Sequence, residues 1–188
     1  MSREHKEADH KIEIAPADPK DVRGMAEVYR TTWLATYPNK EAGITVDDIE
    51  DVFKDSFTEE ALAKRAERIR HPKEGYVFLV AKDGDKVIGV CSVIKHPDKN
   101  QLASIYVLPE YQGRGVGSLL WASAQKHFDA DKDTIVQVVT YNANAIGFYK
   151  KLGFQETGKK IMDERFRMKS GAITPETELV IKAEIKSN

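Results

Sequence analysis

Within a chain of 188 residues, the stretch Tyr111-Gln112-Gly113-Arg114-Gly115-Val116-Gly117-Ser118-Leu119-Leu120 has the composition needed to hold a charged ligand through backbone alone. It follows an apolar run, Ile105-Tyr106-Val107-Leu108, closed by Pro109, and it leads into apolar positions at helical spacing, Val116, Leu119, Leu120, Ala124 and Phe128. Strand, glycine turn and helix therefore follow in that order. Glycines at alternate positions remove the β-carbons that keep a ligand off the backbone and permit positive φ where the chain folds back. The helix beyond presents free N–H groups and the positive end of its dipole to the turn. Together these form a receptacle for a diphosphate. A Walker loop is excluded, because no lysine precedes Ser118. The dinucleotide fingerprint is excluded too, because Ser118 stands where its third glycine belongs.

A second constellation lies about 25 residues on: Asn142-Ala143-Asn144-Ala145-Ile146-Gly147-Phe148-Tyr149-Lys150-Lys151-Leu152-Gly153-Phe154. The first stretch matches Q-x-x-G-x-G through Gln112, Gly115 and Gly117, and the second is similar to N-x-x-A-I-x-F-Y-x-K-x-G-F. In this order and at this separation the pair resembles the GNAT superfamily of N-acyltransferases, over most of the chain from Ile12 to Ile185. The resemblance implies an α/β fold with a mixed, mostly antiparallel sheet of six or seven strands, a parallel splayed central pair and helices on both faces. It implies acetyl-CoA as acyl donor. Ile105, Tyr106 and Val107 would run beside the pantetheine amides, and Gln112, Gly113, Arg114, Gly115, Val116, Gly117 and Ser118 would hold the diphosphate, with Arg114 adding charge there or at the 3′-phosphate. Asn142, and less strongly Asn144, would bind the pantetheine arm, Asn142 being equally suited to cap a helix. Phe148 is carried over as a further cofactor contact.

Acetyl transfer to an amine demands a neutral nucleophile, a stabilised oxyanion and a proton for the departing thiolate. A backbone N–H near Tyr106 or Val107 meets the second demand. Tyr149 occupies the position of the family's general-acid tyrosine, although on spacing alone it is equally a core residue. A phenol of pKa about 10 protonates a thiolate of pKa about 8.5 only with positional help, but it can donate a hydrogen bond without full transfer. The general base is missing: where some relatives carry glutamate this chain has Gln137. A water chain, Glu110, Asp163 or Glu164 remain as substitutes. An amine of pKa about 10.4 is roughly 0.04 % neutral at pH 7, so the gap matters. Trp33, Tyr37 and an acidic stretch from Thr45 to Phe57 are expected near the acceptor. That stretch sets Asp47, Asp48, Glu50, Asp51 and Asp55 against Lys54 alone. It can attract a cation or be a solvated helical face. Thr32 to Phe57 and Lys169 to Pro175 loosely resemble the polyamine-acetylating branch.

These residues need positioning elements. Lys11–Ile14 reads as a short first strand, with Asp18 or Asp21 capping a helix that ends near Tyr37-Pro38. Thr58 opens another helix through Ile69. Two strands around Asp83-Gly84-Asp85 form a hairpin, and Ile135 to Val139 reads as a strand covered on both faces. A helix from Asn142 to Leu152 closes at Gly153, and an antiparallel pair around Lys169-Ser170-Gly171 ends the chain. Residues 1–10 are expected to be a disordered tail and 11–188 a single domain. The net charge is −1, which argues against nucleic acid as a partner. There is no apolar run of membrane-spanning length and no metal-ligand spacing. The lone Cys91 sits in an apolar run as a small hydrophobe. A soluble, cytoplasmic enzyme follows, and a homodimer stays open. Its expected reaction is acetyl transfer to a primary amine by direct attack. The alternatives are a non-catalytic acyl-CoA-binding sensor and a binder of some other nucleotide.

Overall fold

A computed structural model describes residues 11–164 and 167–183. The expected tail, 1–10, and the last residues of the closing strand pair lie outside them. Seven strands form one sheet in the order β1-β2-β3-β4-β5-β7-β6: β1 Glu13–Pro16, β2 Tyr76–Asp83, β3 Lys86–Lys95, β4 Asn100–Val107, β5 Thr134–Val139, β6 Gln155–Met162 and β7 Pro175–Ile181. Every neighbouring pair is antiparallel except β4 and β5. Five α-helices cover it: α1 Val22–Thr36, α2 Val46–Phe53, α3 Glu59–Arg70, α4 Val116–Ala124 and α5 Ala143–Lys151. The first three pack together on one face, while α4 and α5 meet on the other, where Trp121 touches Phe154 and Gly117 touches Phe148. None of these helices is long and apolar enough to cross a membrane.

The parallel pair positions the site. Its register runs only from Asn100 opposite Thr134 to Leu102 opposite Val136. At the next residue, Ala103, β4 bulges: Ser92 pairs with Ser104 and Val93 with Leu102, so Ala103 faces no partner on β3. A bulge adds twist and bend. Beyond it β4 stays with β3 while β5 stays with β7, and the two strands part. Asn100 holds the root of the fork, its buried amide donating to the carbonyls of Asp129 and Lys132 and accepting from Asp129 N–H.

Two local expectations change. Asp21 does not cap α1. Asp18 caps a single 3-10 turn, Pro19–Asp21, that leads into it, and the buried Asp21 carboxylate instead receives Lys82 at 2.7 Å. The acidic stretch is itself a helix, α2, opened by Thr45 and Asp48 in a reciprocal capping box. Most of its charge is matched locally. Asp48 is fully buried, Glu50 takes a fork of bonds from Arg30, Asp51 meets Lys54, and Asp47 lies 3.6 Å from Lys169.

Candidate active site

The parted strands open a cleft of about 580 Å³ that passes from one face of the sheet to the other. On the side of α4 and α5 its wall is the glycine turn. Three anchors fix where the turn starts. The Tyr111 hydroxyl donates to Asp83 at 2.9 Å, Lys86 to Glu110 at 3.2 Å, and Gln112 Nε2 to the Val107 carbonyl at 2.9 Å. Gly113 and Gly115 then adopt φ of 73° and 82°, left-handed values that L side chains rarely tolerate. Gly117 is needed for a different reason: a β-carbon there would stand 3.2 Å from the Phe148 ring. No side chain caps α4, and among the described residues none of the amides from Gly113 to Ser118 donates a hydrogen bond within the protein. The amides of Gly113, Gly115, Val116, Gly117 and Ser118 thus stand at the cleft wall by a helix N-terminus, an arrangement that suits a diphosphate.

Asn142 sits across the cleft at the start of α5 and does cap that helix, accepting from Ala145 N–H at 3.0 Å. It lines the cleft as well, as do Asn144, Phe148 and Tyr149. Tyr149 is buried by the rings of Phe148 and Phe154. Among the described residues nothing hydrogen-bonds its hydroxyl. Burial, and then the neighbouring Tyr106, push its pKa well above the ordinary phenol value, so it is neutral at every working pH.

On the opposite face, under α1, the cleft ends in hydroxyl groups. Tyr37 and Tyr106 share a hydrogen bond of 2.9 Å, and the Tyr141 hydroxyl donates to the Tyr37 carbonyl at 2.7 Å. Tyr106 is pushed up to about 12, chiefly by burial, and Tyr37 is raised by burial and by Tyr106. Gln137 also lines the cleft. Directly across the ladder from Gln137 and Val139 stand Glu178 and Glu176 of β7, on the same face of the sheet. The two ends meet where Ile105, Tyr106 and Val107 run along the free edge of β4.

Two sequence-predicted site residues do not line the cleft. The Arg114 guanidinium lies 5.5 Å over the Tyr111 ring, and Trp33 stacks flat on Tyr37 at 4.2 Å from behind. Nor do Glu110, Asp163 and Glu164, the alternatives for a base, and no carboxylate lines the cleft among the described residues. Thr32, Thr36, Ser104, Tyr111 and Lys151 do line it without having been singled out. Lys151 had a signal, standing two residues after Tyr149 in the second motif. Thr32 and Thr36 had one as well, one turn apart on the face of α1 that carries Trp33. Cys91 is buried with its thiol pushed up to about 12 by burial, as a small core residue.

The chain is similar to several known acetyltransferases. A spermidine N(1)-acetyltransferase from Thermoplasma acidophilum is 27% identical over 147 residues, 77% of this chain and 88% of that protein. A putative [ribosomal protein bS18]-alanine N-acetyltransferase from Bacillus subtilis is 34% identical over 108 residues, 56% of this chain and 65% of that one. Among solved structures, PaiA N-acetyltransferase from Thermoplasma acidophilum in complex with coenzyme A superposes with a TM-score of 0.67 at 23% identity, over 88% of this chain and 98% of that one. YncA of Salmonella typhimurium with acetyl-CoA gives 0.60 at 22% identity, over 95% and 97%. The family model for the acetyltransferase (GNAT) domain matches residues 34–170, and the chain is therefore a member of the GNAT acetyltransferase family and an enzyme of the acyltransferase class.

Proposed function

We propose that the protein moves an acetyl group from acetyl-CoA to a primary amine by direct attack, with donor and acceptor entering the forked cleft from opposite faces of the sheet. The observation that carries this reading is the row of unpartnered, pre-oriented amides from Gly113 to Ser118 facing the same cleft as the Tyr149 hydroxyl. Acetyl-CoA supplies the acetyl thioester. The amides hold its diphosphate, with Lys151 adding positive charge, and the free edge of β4 with Asn142 and Asn144 holds the pantetheine arm as an added strand. Arg114, above Tyr111 at the rim, serves the 3′-phosphate rather than the diphosphate.

A backbone N–H of β4 near Tyr106 or Val107 receives the carbonyl oxygen as it gains charge. The Tyr149 hydroxyl donates a hydrogen bond to the departing sulfur. Its raised pKa makes complete proton loss to a thiolate unfavourable, so its share of catalysis is this bond rather than full transfer. At the other end the hydroxyls of Tyr37 and Tyr106 orient the nitrogen. With no carboxylate lining the cleft, the amine reacts from its neutral fraction and sheds its proton to water. Glu176 and Glu178 stand one strand over from that end, and Glu178 already accepts from Lys159 at 3.2 Å.

The acceptor best matching these features is a small polycation of the spermidine kind, a reading supported by the Thermoplasma relative's name. Release of free thiol from acetyl-CoA, measured with spermidine, lysine peptides, amino acids and aminoglycosides, tests both parts. Turnover fastest with spermidine is expected. Turnover confined to a peptide or amino acid replaces the acceptor only. Coenzyme A binding without turnover on any amine overturns the enzymatic mechanism in favour of a sensor.

A further inference from the structure

A second cavity, of about 170 Å³, lies on the α1–α3 face away from the glycine turn. Its walls are Met25 and Tyr29 of α1, Arg65, Arg68 and Ile69 of α3, and Phe78 of β2. The two arginines stand one helical turn apart, the spacing that sets side chains side by side. Arg65 is half-buried and spends one bond, of 3.3 Å, on the Ser56 carbonyl. The Arg68 guanidinium lies 5.9 Å over the Phe78 ring. Among the described residues neither guanidinium meets a carboxylate, whereas Arg30 of α1 and Arg70 of α3 pair with Glu50 and Glu67. The acidic side chains of α3 are not in position to help. Glu67 is engaged by Arg70 and His71, and Glu59 and Glu60 lie in the first turn.

Two like charges side by side at an apolar wall, Arg65 half-buried and Arg68 exposed, repel each other. Burial opposes the charged state of Arg65, Tyr29 partly offsets it, and the positive charge of Arg68 adds a smaller opposition. A guanidinium offers five N–H donors, and one described bond uses them on Arg65 while a ring face occupies Arg68. The counterpart that such a pair of guanidiniums selects is an anion of charge two with several acceptor oxygens.

We propose that this cavity is a binding site for a phosphate dianion, either free or as the phosphoryl group of a small metabolite, gripped by Arg65 and Arg68 against Phe78. Two guanidiniums match a dianion in charge and present forked donors to its oxygens. The volume of about 170 Å³ admits a phosphoryl group with a few further atoms. Tyr29 forms the wall toward the acetyl-transfer cleft. Its ring meets Tyr106 edge-on at 5.4 Å, and its hydroxyl lies 3.4 Å from Ser104, which lines that cleft.

The test is thermal unfolding of the whole chain in inorganic phosphate against chloride at matched ionic strength, repeated with saturating coenzyme A so that the glycine turn is blocked. Phosphate at ten times its Kd is expected to raise Tm by about 3–6 °C with coenzyme A present, and acetate is expected to do less. R65Q/R68Q should abolish the rise. Arg68→Gln alone, at an exposed helical position, should cut it at least about fivefold in Kd and guards against a misfolded double variant. An equal rise in wild type and R65Q/R68Q, or none in wild type at 20-fold excess over the millimolar range, overturns the site. Neither result touches the acetyl-transfer reading, which thiol release decides separately.

Discussion

The two ends of the cleft are built by different means. The donor end is made of backbone: unpartnered amides from Gly113 to Ser118 and the free edge of β4 beside a bulge at Ala103. The acceptor end is made of side chains from distant segments. Tyr37 comes from the end of α1, Tyr106 from β4, Tyr141 from the turn after β5, and α2 is tied to the β6–β7 connection where Asp48 accepts from Ser170 N–H at 2.9 Å. Backbone geometry is fixed by local sequence and binds what any backbone binds. A side-chain wall can be exchanged residue by residue without disturbing it. One end thus suits a constant ligand and the other a variable one.

Substitutions at the donor end should break this contrast most strongly. Gly117→Val puts a branched side chain against the Phe148 ring, already 3.2 Å from a β-carbon. Gly115→Val demands a left-handed conformation, which costs such a residue about 1–3 kcal/mol. Each is expected to weaken coenzyme A binding about 100-fold or more by calorimetry, while thermal stability without ligand falls much less. A loss of stability equal to the loss of affinity would make the glycines structural only. Next in size is Tyr149→Phe. If the proposed bond to the departing sulfur is its role, removing the hydroxyl should lower kcat about 30- to 100-fold and leave the Kd for coenzyme A within about twofold. Parallel losses in both would return Tyr149 to the core.

The same contrast decides what the sequence reveals. Gly113, Gly115 and Gly117 announce their roles because positive φ and close approach are properties of single residues. The strand before them and the helix after them are local periodicities. A strand–helix–strand crossover and a hairpin at Gly84 foretell the β4–β5 and β2–β3 pairings, but not the insertion of β7 between β5 and β6. The acceptor end leaves no such trace. The Tyr37–Tyr106 bond joins residues 69 apart in sequence and the Asp48–Ser170 bond residues 122 apart. Five acidic residues look like a lure for cations until Arg30, Lys54 and Lys169 are seen beside them. Even so, Thr45 three residues before Asp48 was a readable helix start.

Dependence on pH sharpens the chemical side of the comparison at the next level of effect. The buried tyrosines that line the cleft keep their protons near neutrality: Tyr106 is pushed up to about 12, and Tyr149 and Tyr37 are raised as well. The neutral fraction of an amine of pKa about 10.4 rises tenfold per pH unit. For such an acceptor log(kcat/KM) should therefore climb with a slope near one from about pH 6.5 to 9.5. A plateau above an inflection near pH 6–7 would reveal an enzymic base, and Glu176 or Glu178 would be the first to replace. The tyrosines contribute no fall in this range, since raised phenols keep their protons throughout it.

The smallest effect expected on transfer, and the largest on stability, belongs to Asp48. Its carboxylate accepts from Thr45 N–H and hydroxyl and from Ser170 N–H. Burial alone would raise its pKa, but these bonds outweigh it and hold the carboxyl at about 2. An unfolded aspartate titrates near 3.9, so the stabilising contribution is complete above about pH 5 and is lost as pH falls through about 2. Asp48→Ala should cost about 2 kcal/mol at pH 7 from the lost cap and charged hydrogen bonds, or about 4–8 °C in Tm. Wild type and variant should converge as pH drops from 5 toward 2. Because the bond ties α2 to the β6–β7 connection, KM for the acceptor should rise a few-fold while the Kd for coenzyme A stays put. A matching change at the donor end would mean the two ends are not independently built.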